Sequence, residues 1–462
     1  MGRIRQANLG TRATDAMKAM FEQTGEDIYR LIRRDVIHGR LHPGARLRLE
    51  ALRDGYGTSI STLREVLNRL AGERLVVAEG QRGFAVAPVT QGEFRELASL
   101  RALLEIHALH ESFSRGDLEW EGQVVGAYHK LGRIEARMLE GQRGESEAWK
   151  RYDKEFHQQL IAGCGSAELA AAHSAIFDQY LRYQMVAVIF RGAEAAAEHA
   201  ALRDCALARD ADRAARVLAG HIAACVDHTE AAGLLDAAPP TPAPAPLRET
   251  VAAGVWRRMR GDILSGALVP GRKLKLDGLR EGYGASVSTL REVLNRLATE
   301  GLVIAEGQRG FEVAPVSSAN LRELAGLRLL LEEHALADSF RNGDLDWEAH
   351  VLAAWHKLAA MERQMERGDT SAAGLWKRRD WEFHQALISA CGSGALMHLH
   401  GGVFDKYLRY QQIALSFRGA IAAAEHRALL DAALDRDAEA ACAVLRRHLL
   451  GGVEHALAIG AT

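Results

Sequence analysis

Cysteine is scarce: five in 462 residues, an odd number, widely spaced and with no Cys-x-x-Cys pair. That excludes a disulfide framework and a zinc knuckle, and the cysteines read as small buried hydrophobes in a reducing compartment. No stretch reaches the ~18 uncharged apolar residues of a membrane span. The N-terminal run MGRIRQANLGTRATDAMKAM is basic and polar. It has neither the apolar core nor the small-residue cleavage site of a secretory signal. These absences predict a cytoplasmic protein. Charge of one sign is also lacking: the formal net charge is −2. General attraction to a polyanion is thereby excluded, and any such binding must come from a local patch.

What is present, above all, is repetition. The segment from Ser61 to Ala71 recurs letter for letter from Ser288 to Ala298, and Ala78 to Phe84 recurs as Ala305 to Phe311. The offset is 227 residues in both cases. It is unchanged at Asp153/Asp380, His199/His426 and His221/His448. A period this long is a whole folding unit copied once rather than a solenoid repeat. Proline marks the join. Of nine prolines, four form the matched pairs Pro43/Pro270 and Pro88/Pro315, and five crowd between Ala237 and Leu247. A Pro/Ala run is an extended spacer, at roughly 3.1 Å per residue long enough to let two units pack side by side.

Within each unit the pattern changes once. Ile28, Leu31, Ile32, Val36 and Ile37 make a helical stripe. Pro43-Gly44 is a turn, Leu47 to Asp54 reads as a short helix, and Ser59 to Glu73 as a third. Ser59 is the expected N-cap, with Leu63, Val66, Leu67 and Leu70 facing inward. Leu75 to Ala78 and Phe84 to Ala87 then flank a Gly-Gln-Arg-Gly tip, a hairpin signal. This is the order of a winged helix-turn-helix. From Thr90 strand signals vanish and helical periodicity runs to about Ala232. The expected fold is mainly α: two tandem units, each a winged helix-turn-helix followed by an all-α bundle. The expected boundaries are an N-terminal tail at 1–24, readers at 25–90 and 251–317, bundles at 91–232 and 318–462, and a linker at 233–250.

A helix-turn-helix sets the start of its second helix at base edges. Those positions are Ser59, Ser61, Thr62 and Arg64, and Ser286, Ser288, Thr289 and Arg291. Arginine grips guanine bidentately, while hydroxyls at a helix N-terminus suit phosphate. The hairpin tips carry Arg82-Gly83 and Arg309-Gly310, fit for a minor groove or the backbone. Local charge agrees. Residues 25–90 hold 11 Lys/Arg against 8 Asp/Glu, and residues 252–317 hold 10 against 7, so both are +3 in a chain of −2. The run Gly39-Arg-Leu-His-Pro-Gly44, Tyr56-Gly57, Leu63-Arg64-Glu65, Leu75-Val76 and Arg82-Gly83-Phe84 resembles the DNA-binding domain of the GntR family of bacterial regulators. The resemblance implies that Arg64 and Arg291 contact DNA and that Arg82-Gly83 and Arg309-Gly310 form the wing. One departure stands out. Many members carry a second arginine where this chain has Ile60 and Val287, so the family's usual operator does not transfer.

Each bundle carries four candidate ligands in one order: Asp153, His157, His199, His221, and Asp380, His384, His426, His448. Asp and His at i, i+4 share a helix face. Three imidazoles and a carboxylate suit zinc first, with nickel or manganese as alternatives. A surface pair is the plainer reading of the spacing alone, since other histidines are also retained in both copies. The segments around Asp153 to His157, Glu198-His199 and His221 resemble the FadR C-terminal (FCD) effector domain in its three-histidine, metal-binding branch. That resemblance implies a homodimeric repressor whose ligand is a small organic acid on the metal. It further implies that Arg101 and Arg328 hold the acid's carboxylate; pairing with Glu105 or Glu332 at i+4 is the alternative. Tyr180, Arg182, Tyr183 and their counterparts read mainly as helix packing.

The expected function is a ligand-responsive regulator, expected to repress and to associate with the nucleoid. Its partners would be an operator with repeated half-sites and a small organic acid, with no membrane. One chain would form an intrachain pseudo-dimer, with further homodimerisation open. A constitutive DNA binder with structural metal is one alternative. A helical metalloenzyme is the other, and there is no His-Glu-x-x-His and no histidine with glutamate three residues before it.

Overall fold

The computed structural model describes residues 24–79, 83–186, 190–233, 235, 251–305, 310–369, 373–414 and 418–460. Residues 1–23, the proline cluster, and the wing-tip residues Arg82 and Arg309 lie outside the described residues. Reader 1 runs α1 (Gly25–Ile37), β1 (Arg46–Leu47), α2 (Leu49–Tyr56), α3 (Ile60–Gly72), β2 (Val76–Ala78) and β3 (Phe84–Val86). Bundle 1 follows as α4 (Gln91–Arg115), α5 (Leu118–Leu139), α6 (Ser146–Ile161), α7 (Ala167–Val186), α8 (Ala193–Ala208) and α9 (Ala211–Ala231). The second copy repeats the order. Its reader is α10 (Val251–Leu264), β4 (Lys273–Leu274), α11 (Leu276–Tyr283), α12 (Val287–Thr299), β5 (Val303–Ala305) and β6 (Phe311–Val313). Its bundle is α13 (Ser318–Asn342), α14 (Leu345–Glu366), α15 (Ala373–Ile388), α16 (Gly394–Ala414), α17 (Ala420–Leu434) and α18 (Ala438–Ala458).

Local chemistry explains the reader. Ser59 has extended backbone and its hydroxyl accepts from Thr62 N, so α3 starts where a cap is available. Leu63, Val66, Leu67 and Leu70 are all buried, each worth about 1.5–3 kcal/mol of apolar transfer. The sheet is β1-β3-β2, antiparallel, with Val76 opposite Val86 and Leu47 opposite Phe84. That last pair corrects the expected second helix. Leu47 is held in the sheet, so the helix begins two residues later, and it ends at Gly57, whose φ of 62° a side chain would disfavour.

The bundle reaches into the reader. Phe177 and Leu181 of α7 belong to the same apolar cluster as Ile28, Ile32 and Val36 of α1. The apolar side chains of the two bundles form one continuous cluster. The copies also touch through their readers, where Asn295 of α12 donates to Glu65 of α3.

Candidate metal centres and nucleic-acid interface

Three helices bring together the four candidate ligands of each bundle. In copy 1, α6 presents Asp153 and His157 one turn apart, α8 presents His199, and α9 presents His221. All four are buried, and one ligand atom from each lies within 4.8 Å of the others. Asp153 Oδ1 stands 3.3 Å from His199 Nε2 and 3.8 Å from His157 Nε2. Asp380, His384, His426 and His448 make the same cluster in copy 2, with Asp380 Oδ1 3.1 Å from His426 Nε2.

The other face of each imidazole explains its aim. His199 Nδ1 lies 2.7 Å from Glu135 Oε1 on α5, and His221 Nδ1 lies 2.7 Å from Glu198 Oε2. His157 Nδ1 is held by Glu105 of α4. In copy 2, Glu332, Glu362 and Glu425 hold His384, His426 and His448 at 3.0, 2.6 and 2.9 Å. A carboxylate on Nδ1 fixes the ring and its tautomer and leaves Nε2 for a cation. Nε2 of His157, His199, His384 and His426 are buried without a hydrogen-bond partner among the described residues. A buried polar atom left so costs about 1–3 kcal/mol, and an ion would remove that cost. The donor set fits a divalent metal on this structural ground.

Electrostatics agree. Burial works against ionising Asp153, yet Lys150 and the two histidines hold its carboxyl well below the usual range. Burial likewise lowers His199, but Asp153 and Glu135 outweigh it and push the imidazole up to about 9. His221 goes down to about 3, through burial and the neighbouring His199 and His157, against the pull of Glu198. His426 and His448 repeat these shifts, to about 9 and about 3.

Cations surround the cluster. Arg101 is fully buried, its Nε 2.9 Å from Glu105 Oε2, so the i+4 pair is real. Its Nη1 and Nη2 nevertheless have no hydrogen-bond partner among the described residues, and the guanidinium lies over Phe177 and Tyr180. Arg328 does the same with Glu332, Phe404 and Tyr407. Lys150 is buried 3.7 Å from Asp153 Oδ2. Arg191 Nη2 lies 3.1 Å from His221 Nδ1. In copy 2 a small cavity beside Asp380 and His448 is lined by Trp376, Tyr407, Gln411 and Arg418. Glu135, Lys150 and Arg191 escaped the sequence reading, and Glu105 entered it only as a partner for Arg101. Glu198, adjacent to His199, stood inside a segment singled out there.

The reading surface is arranged as follows. Arg64 and Arg291 are exposed on α3 and α12, one turn into each helix. Ser59, Ser61, Ser286 and Ser288 are exposed, and Thr62 and Thr289 half-buried. Ser59 and Ser286 spend their hydroxyls on capping Thr62 N and Thr289 N. Gly83 and Gly310, beside the wing tips, have φ of 94° and 98°, where glycine is favoured. Arg182 is not packing alone: its Nη2 donates to Ala87 O at 2.8 Å, tying α7 to the end of the reader. Arg33 adds a second tie, 2.7 Å from Asp178 of α7.

Comparison with known proteins agrees with this anatomy. The profile described as bacterial regulatory proteins, gntR family, matches residues 24–86 and 251–313, and the FCD domain matches 96–224 and 323–451. The chain belongs to the GntR family of transcriptional regulators, with two FCD domains. It is 36% identical over 212 residues to the uncharacterized HTH-type transcriptional regulator BphR of Paraburkholderia xenovorans (strain LB400), covering 46% of this chain and 86% of that one. It is 30% identical over 205 residues to the HTH-type transcriptional repressor GlaR of Escherichia coli (strain K12), covering 43% and 92%. Among solved structures, E. coli McbR/YncC is similar at 21% identity, covering 45% of this chain and 98% of that one with a TM-score of 0.39. The chain is therefore a DNA-binding regulator of a family of regulators, not of enzymes. Among the described residues, no helix is long and apolar enough to cross a membrane.

Proposed function

We propose that this regulator represses its target genes and is released by a small organic acid sensed in its two bundles. The observation that carries the reading is the pair of imidazoles, His157 and His199, clamped by carboxylates at Nδ1 with Nε2 orphaned beside Asp153. Asp153, His157, His199 and His221 would hold one divalent ion, and their equivalents a second. Zinc suits the set best, with nickel or manganese as alternatives. When bound, the ion supplies a Lewis-acidic seat for a carboxylate.

The chain's own residues do the rest. Arg101 offers two NH2 groups, Nη1 and Nη2, without partners among the described residues and fit for a forked grip on a carboxylate. Arg101 rests on Phe177 and Tyr180 of α7, and the same helix carries Arg182 and Asp178, the ties to the reader. A shift of α7 on ligand binding thus moves the reader. On DNA, Arg64 and Arg291 read base edges. Ser59, Ser61, Thr62, Ser286, Ser288 and Thr289 with the wings at Arg82-Gly83 and Arg309-Gly310 hold the backbone. One chain presents two readers and so serves as a pseudo-dimer on two half-sites. The complete burial of four ligands also favours a second reading, a structural metal in a constitutive DNA binder.

The test has two parts. Elemental analysis of the purified chain should find two divalent ions per molecule. Selection of genomic fragments, followed by footprinting with a panel of small carboxylic acids, should find a site whose affinity falls with one acid. Affinity indifferent to every acid, with metal present, would leave the structural reading.

A further inference from the structure

The contacts between the copies divide into two kinds. One kind is reciprocal. Glu96 Oε2 of copy 1 accepts from Ser393 Oγ and Ala395 N at 3.4 and 3.1 Å. Glu323, its equivalent, accepts from Ser166 Oγ and Glu168 N at 3.3 and 3.1 Å. Each copy thus caps a helix of the other, and these contacts would survive in any pairing of copies.

The second kind is one-sided. Glu168 of copy 1 accepts from Asn320 Nδ2 at 2.9 Å and from Lys406 Nζ at 2.8 Å. At the positions 227 residues away stand Ala395, Glu93 and Gln179, so the mirror contact does not exist. A fourth position joins them. In copy 1, Arg74 takes a φ of 60°, unusual for a side-chain-bearing residue, and reaches Glu93 at 3.0 Å within its own copy. In copy 2 that arginine is Gly301 and that glutamate is Asn320. A Cβ built on Gly301 would fall 2.7 Å from Lys406 Cε, so a side chain there would displace the lysine from its present position. A fifth pair sits between the readers, where equivalent positions hold Gly72 and Thr299. A Cβ on Gly72 would lie 3.2 Å from Thr299 Cγ2.

We infer that the two copies have become complementary, non-interchangeable halves, so that copy 1 recognises copy 2 in preference to a second copy 1. The partner each half fits is the other half of this chain. Facing another copy 1 in the same geometry, Glu168 would meet the like-charged Glu93 where Asn320 stands and the uncharged Gln179 where Lys406 stands. Facing another copy 2, Lys406 would meet Ala395, a buried-edge cation without its carboxylate, and Thr299 would meet Thr299. Small-against-large and charge-against-charge complementarity of this kind selects partners by penalising the wrong ones. The inference holds whatever the bundles bind.

The test uses the full chain with a protease site set into the Pro/Ala run at residues 237–247. After folding and cutting, the halves differ in mass, so native mass spectrometry separates the three pairings. Diluted and reconcentrated, the cut protein should return to the mixed pair alone. Glu168→Lys should weaken the mixed pair roughly tenfold, and adding Lys406→Glu in the same chain should restore it to within about threefold. Re-sorting into like pairs at statistical proportions would overturn the inference. So would a Glu168→Lys protein whose halves associate as tightly as before.

Discussion

Glu135 and His199 meet at 2.7 Å across 64 residues of chain, the carboxylate of α5 on the Nδ1 of α8. The same spacing joins Glu362 to His426 at 2.6 Å. An imidazole of the candidate cluster is thus aimed by a carboxylate that is not itself one of the four clustered residues.

Glu135→Gln keeps a polar side chain but removes the charge that orients His199. Affinity of the first centre for zinc should drop about 10–100-fold, while the second centre is unchanged. Competition with a chromophoric chelator would resolve the two sites. Equal weakening of both, or of neither, would count against this role for Glu135.

The centres should respond to acid in a defined direction. His199 and His426 are raised to about 9, so at neutral pH each site must release a proton to take an ion. Ion affinity should therefore fall about tenfold per unit as pH drops from 9 to 6.5. The ion-free protein behaves oppositely. A histidine with a raised folded pKa stabilises fully below its unfolded value near 6.5, and that stability is lost as pH rises through 9. Thermal unfolding of chelator-treated protein should show its midpoint declining over that window. A flat ion-affinity profile would mean that neither imidazole carries the proton.

Arg64→Ala and Arg291→Ala should each cost about 1–3 kcal/mol of binding to the selected operator and relax specificity at one base position. Both residues are exposed, so the unfolding midpoint should not move. Loss from only one of the two would show that a single reader dominates.

Arg182→Ala removes the grip of α7 on the Ala87 carbonyl. Operator affinity without ligand should stay within about threefold, because no DNA-facing group is touched. The release of DNA by the effective acid should be blunted. Unaltered release would place the coupling elsewhere, with Arg33 and Asp178 the next pair to break.

Much of the fold was legible because its signals are local. Ser59 caps α3, and Leu63, Val66, Leu67 and Leu70 point inward, as a 3.6-residue period dictates. β1 was not legible: two residues give no alternation, and only pairing with Phe84 makes Leu47 a strand. The four clustered residues of each bundle stood out through the resemblance to the FCD domain rather than their spacing, since both copies keep other histidines as well. Glu105 and Glu135 could not, since nothing near them in sequence marks them as facing an imidazole 52 or 64 residues away. Arg101 makes the i+4 pair with Glu105 through Nε, while Nη1 and Nη2 meet no partner among the described residues. The junction between copies was hidden for another reason. Identity revealed the duplication, whereas Glu168, Gly301, Asn320 and Lys406 matter where the copies differ.

The duplication at an offset of 227 has a genetic consequence. In a protein assembled from two identical chains, every mutation strikes both halves at once, and the operator is bound to be a palindrome. Here a change at Ser59 leaves Ser286 as it was, and Ile60 already stands where the other reader has Val287. Each reader can follow its own half of an asymmetric operator, and each bundle can change without altering the other. A single gene can in this way come to carry two halves with separate histories of substitution.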